Sequence, residues 1–265
     1  MAKQKSIIKI QGSIDDMTFY QMNGSNFVKK KSTGITKERI NNDPRFERTK
    51  ENNQEFAGAT AAAAGIRLGF AEISDFFDNM LSVRLAGVCR KVISKDTGKR
   101  GQRPFLPAID KEGLQTFVLN KSSSLDTIFK APYTISVVTG RYNAVLTVPD
   151  FNPAMQIVAP SGATTFRIFF QISAVSSYEY DLLTQKYVPA FPDYNGKHAL
   201  VTSAYFPLNS TTITLPPLTA LLTDVEELPE PMVLLVCAGI QFYQTIGDFN
   251  YPLTSRNAMK IVSVN

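Results

Sequence analysis

One histidine, two cysteines and a few short acidic runs are what this chain offers to the commonest catalytic chemistries. A serine or cysteine hydrolase working through a histidine base would have to use His198. That residue follows Asn195-Gly196-Lys197, a turn sequence, and is expected to be a solvated turn histidine. Cys89 falls in a helical pattern and Cys237 in a strand pattern, both among apolar neighbours, which predicts free buried thiols. Two distant cysteines and one histidine do not compose a zinc site. Asp15-Asp16 and Glu226-Glu227-Glu230 read as solvated loop acids, with a weak cation site as the alternative. Gly98-Lys99 is followed by Arg100 and has no glycine five residues before Gly98, so the phosphate-loop spacing fails. No dinucleotide glycine fingerprint joins a strand to a helix. Scattered carboxylates of the glycosidase kind stay open. No cofactor is expected, and the chain is expected to be non-enzymatic.

The basic residues carry more information. Lys29, Lys30 and Lys31 end a strand-like run, and Arg39, Arg45, Arg48 and Lys50 lead into a helix. Cations of this kind could track a phosphate backbone. They could also protect a strand edge from aggregation, contact another subunit, or alternate with Glu47 and Glu51 on an ordinary solvated helix. Residues 1–50 hold eleven Lys and Arg against five Asp and Glu, a net +6, while the whole chain holds 28 against 23, a net +5. Residues 51–265 therefore sum to −1, and the positive charge belongs to the first fifth of the chain.

These side chains need elements to hold them. Residues 6–32 read as strands. Met17–Met22 and Asn26–Lys29 flank Asn23-Gly24-Ser25, a hairpin signal because Asn and Gly accept positive φ, and Ile7–Ile10 is a candidate third strand. Asp43-Pro44 opens a helix as N-cap and first helical residue. Phe56, Ala59, Ala63, Ile66, Phe70, Ile73, Phe77 and Met80 form its apolar stripe. Gly58, Ala62, Gly65 and Gly69 form a second stripe of small residues. Glycines on one helix face cost stability, so their recurrence predicts close approach of another backbone. A second helix is expected from Ser74-Asp75, with Leu81, Leu85, Val88 and Val92 on its stripe, and a break or kink near residue 75. Ser94–Gly113 reads as a basic linker.

From about Leu114 the apolar period changes to two. Tyr133-Ile135-Val137, Ala144-Leu146-Val148, Phe166–Ile172 and Ile213-Leu215 alternate, Met232–Ile240 is continuous enough for a central strand, and Ala258–Val264 closes the chain. Pro, Gly and Asn turns separate them. The expected fold class is α+β: a basic hairpin arm over 1–42, a helical segment and basic linker over 43–113, and an antiparallel β-sandwich, Ig-like or jelly-roll, over 114–265.

Composition agrees with a globular chain, 44% hydrophobic and 19% charged. The opening apolar run is too short for a signal-peptide core, and no run approaches the roughly 20 apolar residues that span a bilayer. The expectation is a cytoplasmic protein, or one in a particle released by lysis, without membrane insertion.

The residues GSIDDMTFYQMNGSNFVKKK (12–31), NDPRFERTKENNQEF (42–56), PSGATTFRI (160–168), GIQFYQ (239–244) and RNAMKIVSV (256–264) give the whole chain a resemblance to a group of uncharacterised proteins of Bacteroidota genomes and mobile elements. The resemblance implies one architecture from end to end and brings no activity, cofactor or site residue with it. The leading expectation is a structural protein forming a homomeric assembly, a phage-like particle or an intracellular filament, with the chain itself as partner. The alternative is a nucleic-acid-binding module using the basic N-terminal segment. A carbohydrate-active or carbohydrate-binding sandwich using Tyr178, Tyr180 and Tyr187 is a third reading, against which those tyrosines are ordinary turn and edge aromatics.

Overall fold

A computed structural model describes residues 2–5, 7–31, 34 and 36–265; Ser6 and Ser32, the ends of the expected strand region, lie outside them. The chain divides into two compact units, 1–50 and 51–265.

The first unit holds four short antiparallel strands, β1 Ala2–Lys3, β2 Gly12–Ile14, β3 Met17–Met22 and β4 Ser25–Lys30, in the order β1-β4-β3-β2. The β3–β4 turn is Asn23-Gly24, both at positive φ (48° and 72°), the geometry that lets a two-residue turn match strand twist. Ile7–Ile10 forms no strand. The Gln4 side chain takes both the N–H and the carbonyl of Ile10, at 3.1 Å each, in place of a neighbouring strand. The third and fourth strands are instead β2 and β1. Helix α1, Lys37–Asn42, is capped by Thr36 and was not expected. Asp43 caps a 3-10 turn, Pro44–Phe46, which leads into α2, Glu47–Leu68.

The second unit continues with a 3-10 segment Ala71–Phe76, α3 Leu81–Lys95, and the single turns α4 Glu112–Gln115 and α5 Leu125–Ile128. Strands β5 Thr134–Val137 and β6 Asn143–Thr147 follow, then the turn α6 Pro153–Gln156. The rest is antiparallel: β7 Thr165–Val175, β8 Tyr178–Asp181, β9 Lys186–Pro189, β10 His198–Thr202 and β11 Phe206–Pro207. Last come β12 Leu218–Leu221, β13 Val233–Ile246, β14 Phe249–Pro252 and β15 Ala258–Val264. Strands β10, β7, β13 and β14 make the main sheet, joined by β11 and β15; β12, β6 and β5 make a second sheet, and β8 pairs with β9.

The period-two pattern explains the layering. Even-numbered residues of β7 and β13, among them Phe166, Phe170, Leu234, Val236 and Ile240, point into a core shared with Ala144, Leu146, Leu218 and Ala220 of the second sheet. This is the expected sandwich, in a mixed α+β chain. The odd residues Phe169, Val175, Val233, Leu235 and Cys237 point into a second core shared with Ala59, Ile66, Leu85, Cys89 and Ile93 of α2 and α3. The helices thus form a third layer on the main sheet. This differs from the expected division, because most of the helical segment belongs to the unit that contains the sandwich.

Several local expectations change for identifiable reasons. Ser94–Gly113 is no free linker: Arg103 inserts between helices and pairs with the buried Glu55, and Phe105 is fully buried. Ile213 and Leu215 are buried but make only an isolated bridge to Phe151, since Pro216 and Pro217 lack the N–H groups a ladder needs. Phe56 and Met80 are exposed, whereas Phe76 is buried. The break between Leu68 and Leu81 rotates the apolar stripe, and the second helix begins at Leu81, not at Ser74.

The small stripe of α2 faces polar side chains, where a backbone was expected. A Cβ on Gly58 would lie 2.8 Å from the Tyr187 ring, one on Gly65 would overlap the Tyr178 hydroxyl, and one on Gly69 would overlap the Ser173 hydroxyl. Tyr178 and Tyr187 are buried there; Asn195 donates to the Tyr178 hydroxyl at 2.8 Å and Tyr187 donates to the Arg103 carbonyl at 3.0 Å. Burial pushes the Tyr187 phenol up to about 12. Rings enclosed in this way are not a sugar platform, which removes the carbohydrate reading of Tyr178 and Tyr187. Tyr180 stacks edge-on against Tyr187 and accepts from Gln54 at 2.9 Å.

Candidate interaction surface of the N-terminal sheet

No described residue of 1–50 is buried, although this stretch includes Ile, Met, Phe and Val. Strand register sorts the side chains. Ile14 pairs with Met17, and Phe19 with Val28, so these four share one face, with Lys30 at its end. Ile14 and Met17 are each 49% exposed. The opposite face carries Thr18, Tyr20, Phe27 and Lys29, with Lys3 beside Phe27. Tyr20 and Phe27, a cross-strand pair, stack at 5.9 Å between centroids and 26° between planes, and the Lys29 ammonium lies 5.5 Å over the Tyr20 ring.

The seven basic residues do not form one row. Lys29 and Lys30 are exposed on opposite faces because they are adjacent in a strand. Lys31 follows β4, its N–H bonded to the Asp16 carbonyl. Arg39 and Arg45 converge on Asp43, at 3.6 Å and 2.8 Å, so their charge is partly spent within the chain. Hydrogen bonds from Arg45, side chain first, hold the Asp43 carboxyl down at about 2. Lys50 donates to the Asn41 carbonyl at 3.2 Å, and Arg48 lies exposed on α2. Sequence reasoning found the lysines and missed their aromatic partners. The signal was present: once Asn23-Gly24 is a two-residue turn, Tyr20 must oppose Phe27 and share a face with Lys29.

In the second unit His198 is not a turn residue. It opens β10, partly buried, with Nδ1 2.9 Å from the Gly196 carbonyl and Nε2 3.7 Å from Glu72. Cys89 and Cys237 are buried free thiols. Glu230 pairs with Arg141 at 2.8 Å, while Asp224, Glu226 and Glu227 line an open concavity with Tyr194 and Leu221. Among the described residues no group of three or more His, Cys, Asp or Glu is placed to hold a metal ion, and no helix is long and apolar enough to cross a membrane. Comparisons of the chain with protein-family models, with curated proteins and with solved structures find no match.

Proposed function

We propose that the protein is a structural, self-associating protein whose N-terminal sheet docks on a second copy of the chain. The observation that carries this reading is the exposed apolar face of β2, β3 and β4. A small sheet with no buried residue is marginal in water, and apolar side chains gathered on one exposed face mark a contact surface. Charge supports a second copy as the partner. Residues 1–50 net +6 and the remainder −1, and the remainder exposes Asp224, Glu226 and Glu227. Each copy therefore offers a basic unit with an apolar face and, in the near-neutral remainder, a local group of exposed acids, which a head-to-tail contact would join. Whether such contacts close into a particle or run on as a filament depends on the rotation between copies.

The test uses the full chain. Ile14→Ser with Met17→Ser places hydroxyls on the exposed face and disturbs no buried contact. The variant should keep the wild-type circular dichroism spectrum and melting temperature of the main core while its assembly shifts to smaller species. A variant that assembles as the wild type does would remove this face from the assembly.

A further inference from the structure

We propose that the Tyr20–Phe27 face of the N-terminal sheet binds single-stranded nucleic acid by base stacking, with Lys3 and Lys29 holding the phosphates. This inference is independent of the self-association reading, which uses the opposite face of the same sheet.

The argument begins with where the aromatics stand. Cross-strand aromatic pairs ordinarily stabilise a sheet by packing into a core. Tyr20 and Phe27 are only half-buried, on a sheet with no buried residue. The rings stack across the two strands at 5.9 Å between centroids, with 26° between their planes. Their outward faces share a similar tilt, and unpaired bases can extend the stack there, each ring stabilising a base by roughly 1–3 kcal/mol whatever its sequence. Lys29 lies over the Tyr20 ring at 5.5 Å, and Lys3 opposes Phe27 in register. Lys3 therefore stands beside Phe27, and Lys29, which covers the Tyr20 ring, would swing from it to a phosphate as a base takes its place. Thr18 adds a hydroxyl on the same face.

Charge identifies the occupant. On this face the cations are Lys29 and Lys3, beside the two rings, and cations among aromatics suit a phosphate backbone that carries stackable bases. Aromatics at a half-buried sheet surface select a single strand over a duplex, because duplex bases are already stacked on one another and present only their edges. No base-edge reader is on this face, so recognition should be insensitive to sequence.

Fluorescence anisotropy of a labelled mixed-sequence oligonucleotide of about 15 nucleotides, titrated with the full-length protein at salt from about 50 to 200 mM, tests this directly. The single strand should bind and the matching duplex should bind more weakly. Tyr20→Thr should weaken single-strand binding about 5- to 150-fold, the equivalent of one lost stack, while Tyr20→Phe retains it. Lys29→Gln should flatten the log–log salt slope by about 0.7, and Lys30→Gln, on the other face, should leave the slope unchanged. Circular dichroism of each variant checks that the sheet persists. Failure of the wild type to bind at the lowest salt would overturn the proposal. Equal effects of Lys29→Gln and Lys30→Gln, or preference for duplex, would also overturn it, the first by showing a diffuse charge effect and the second by excluding stacking.

Discussion

At the scale of single residues the most consequential interaction is the ion pair of Glu55 with Arg103. Glu55 is 2% exposed, and Arg103 meets it through two nitrogens at 2.8 Å each. The Gly101 N–H adds a third bond at 2.9 Å, and Arg103 also donates to the Ser94 carbonyl at 3.0 Å. Burial alone would raise the Glu55 carboxyl; Arg103 and the Gly101 N–H outweigh it and hold the group below its ordinary 4.5. A depressed folded-state value means the pair stabilises the fold above the ordinary glutamate range and loses that contribution as pH falls through the depressed value. Glu55→Ala leaves a largely buried guanidinium, 12% exposed, without its counter-ion and should cost up to about 3 kcal/mol at neutral pH. The gap from the wild type should narrow on acidification below 4.5. Denaturant melts across pH check this, and a constant gap would show that packing, not charge, sets the cost. The thiols make a separate case. Burial pushes Cys89 up to about 12 and Cys237 further still. Neither should react with a thiol reagent at mildly alkaline pH until the protein is unfolded; rapid labelling of the native chain would mean that the sheet–helix core opens.

At the scale of elements, α2 is held to the sheet by the close approach that Gly58, Gly65 and Gly69 permit. Gly65→Leu would drive a branched side chain into Tyr178 and Asn195. Overpacking of this kind costs about 1–3 kcal/mol, so the melting temperature should fall by several degrees, and an unchanged melt would show that the seam separates easily. The stripe was legible in the sequence as spacing, but its partner was not. Glycine spacing says that something comes close, and only the placement of β7 and of the β8–β9 hairpin shows that it is Ser173, Tyr178 and Tyr187. The strands over 165–175 and 233–246 were legible because alternation and apolar runs are local signals. Their two-sided burial was half visible in Met232–Ile240 as a continuous apolar run, the mark of a strand covered on both faces. The latch at Arg103 was not legible, since Lys-Asp-Thr-Gly-Lys-Arg-Gly-Gln-Arg-Pro reads as a loop and its carboxylate lies 48 residues away in sequence. The Ile7–Ile10 run misled because β-propensity takes no account of Gln4, whose side chain supplies the hydrogen bonds a neighbouring strand would have made.

At the scale of the molecule, the 51–265 unit is complete in its own terms: one central sheet, a smaller sheet on one face, helices on the other, and a separate core in each gap. The described residues of 1–50 are the contrary case, in short strands and helical turns with none of them buried. The two faces of their sheet differ in chemistry: Ile14, Met17, Phe19 and Val28 with Lys30 on one, and Tyr20 and Phe27 with Lys29 and Lys3 on the other, and the two proposed contacts of this arm use one face each. The central claim is that this arm joins copies of the chain. It is tested most directly by the molar mass of the purified full-length protein in solution, measured by multi-angle light scattering across a range of concentrations. The account predicts a mass several times the 29.3 kDa of one chain, increasing or persisting as concentration rises. A mass that stays at one chain at every concentration would contradict it.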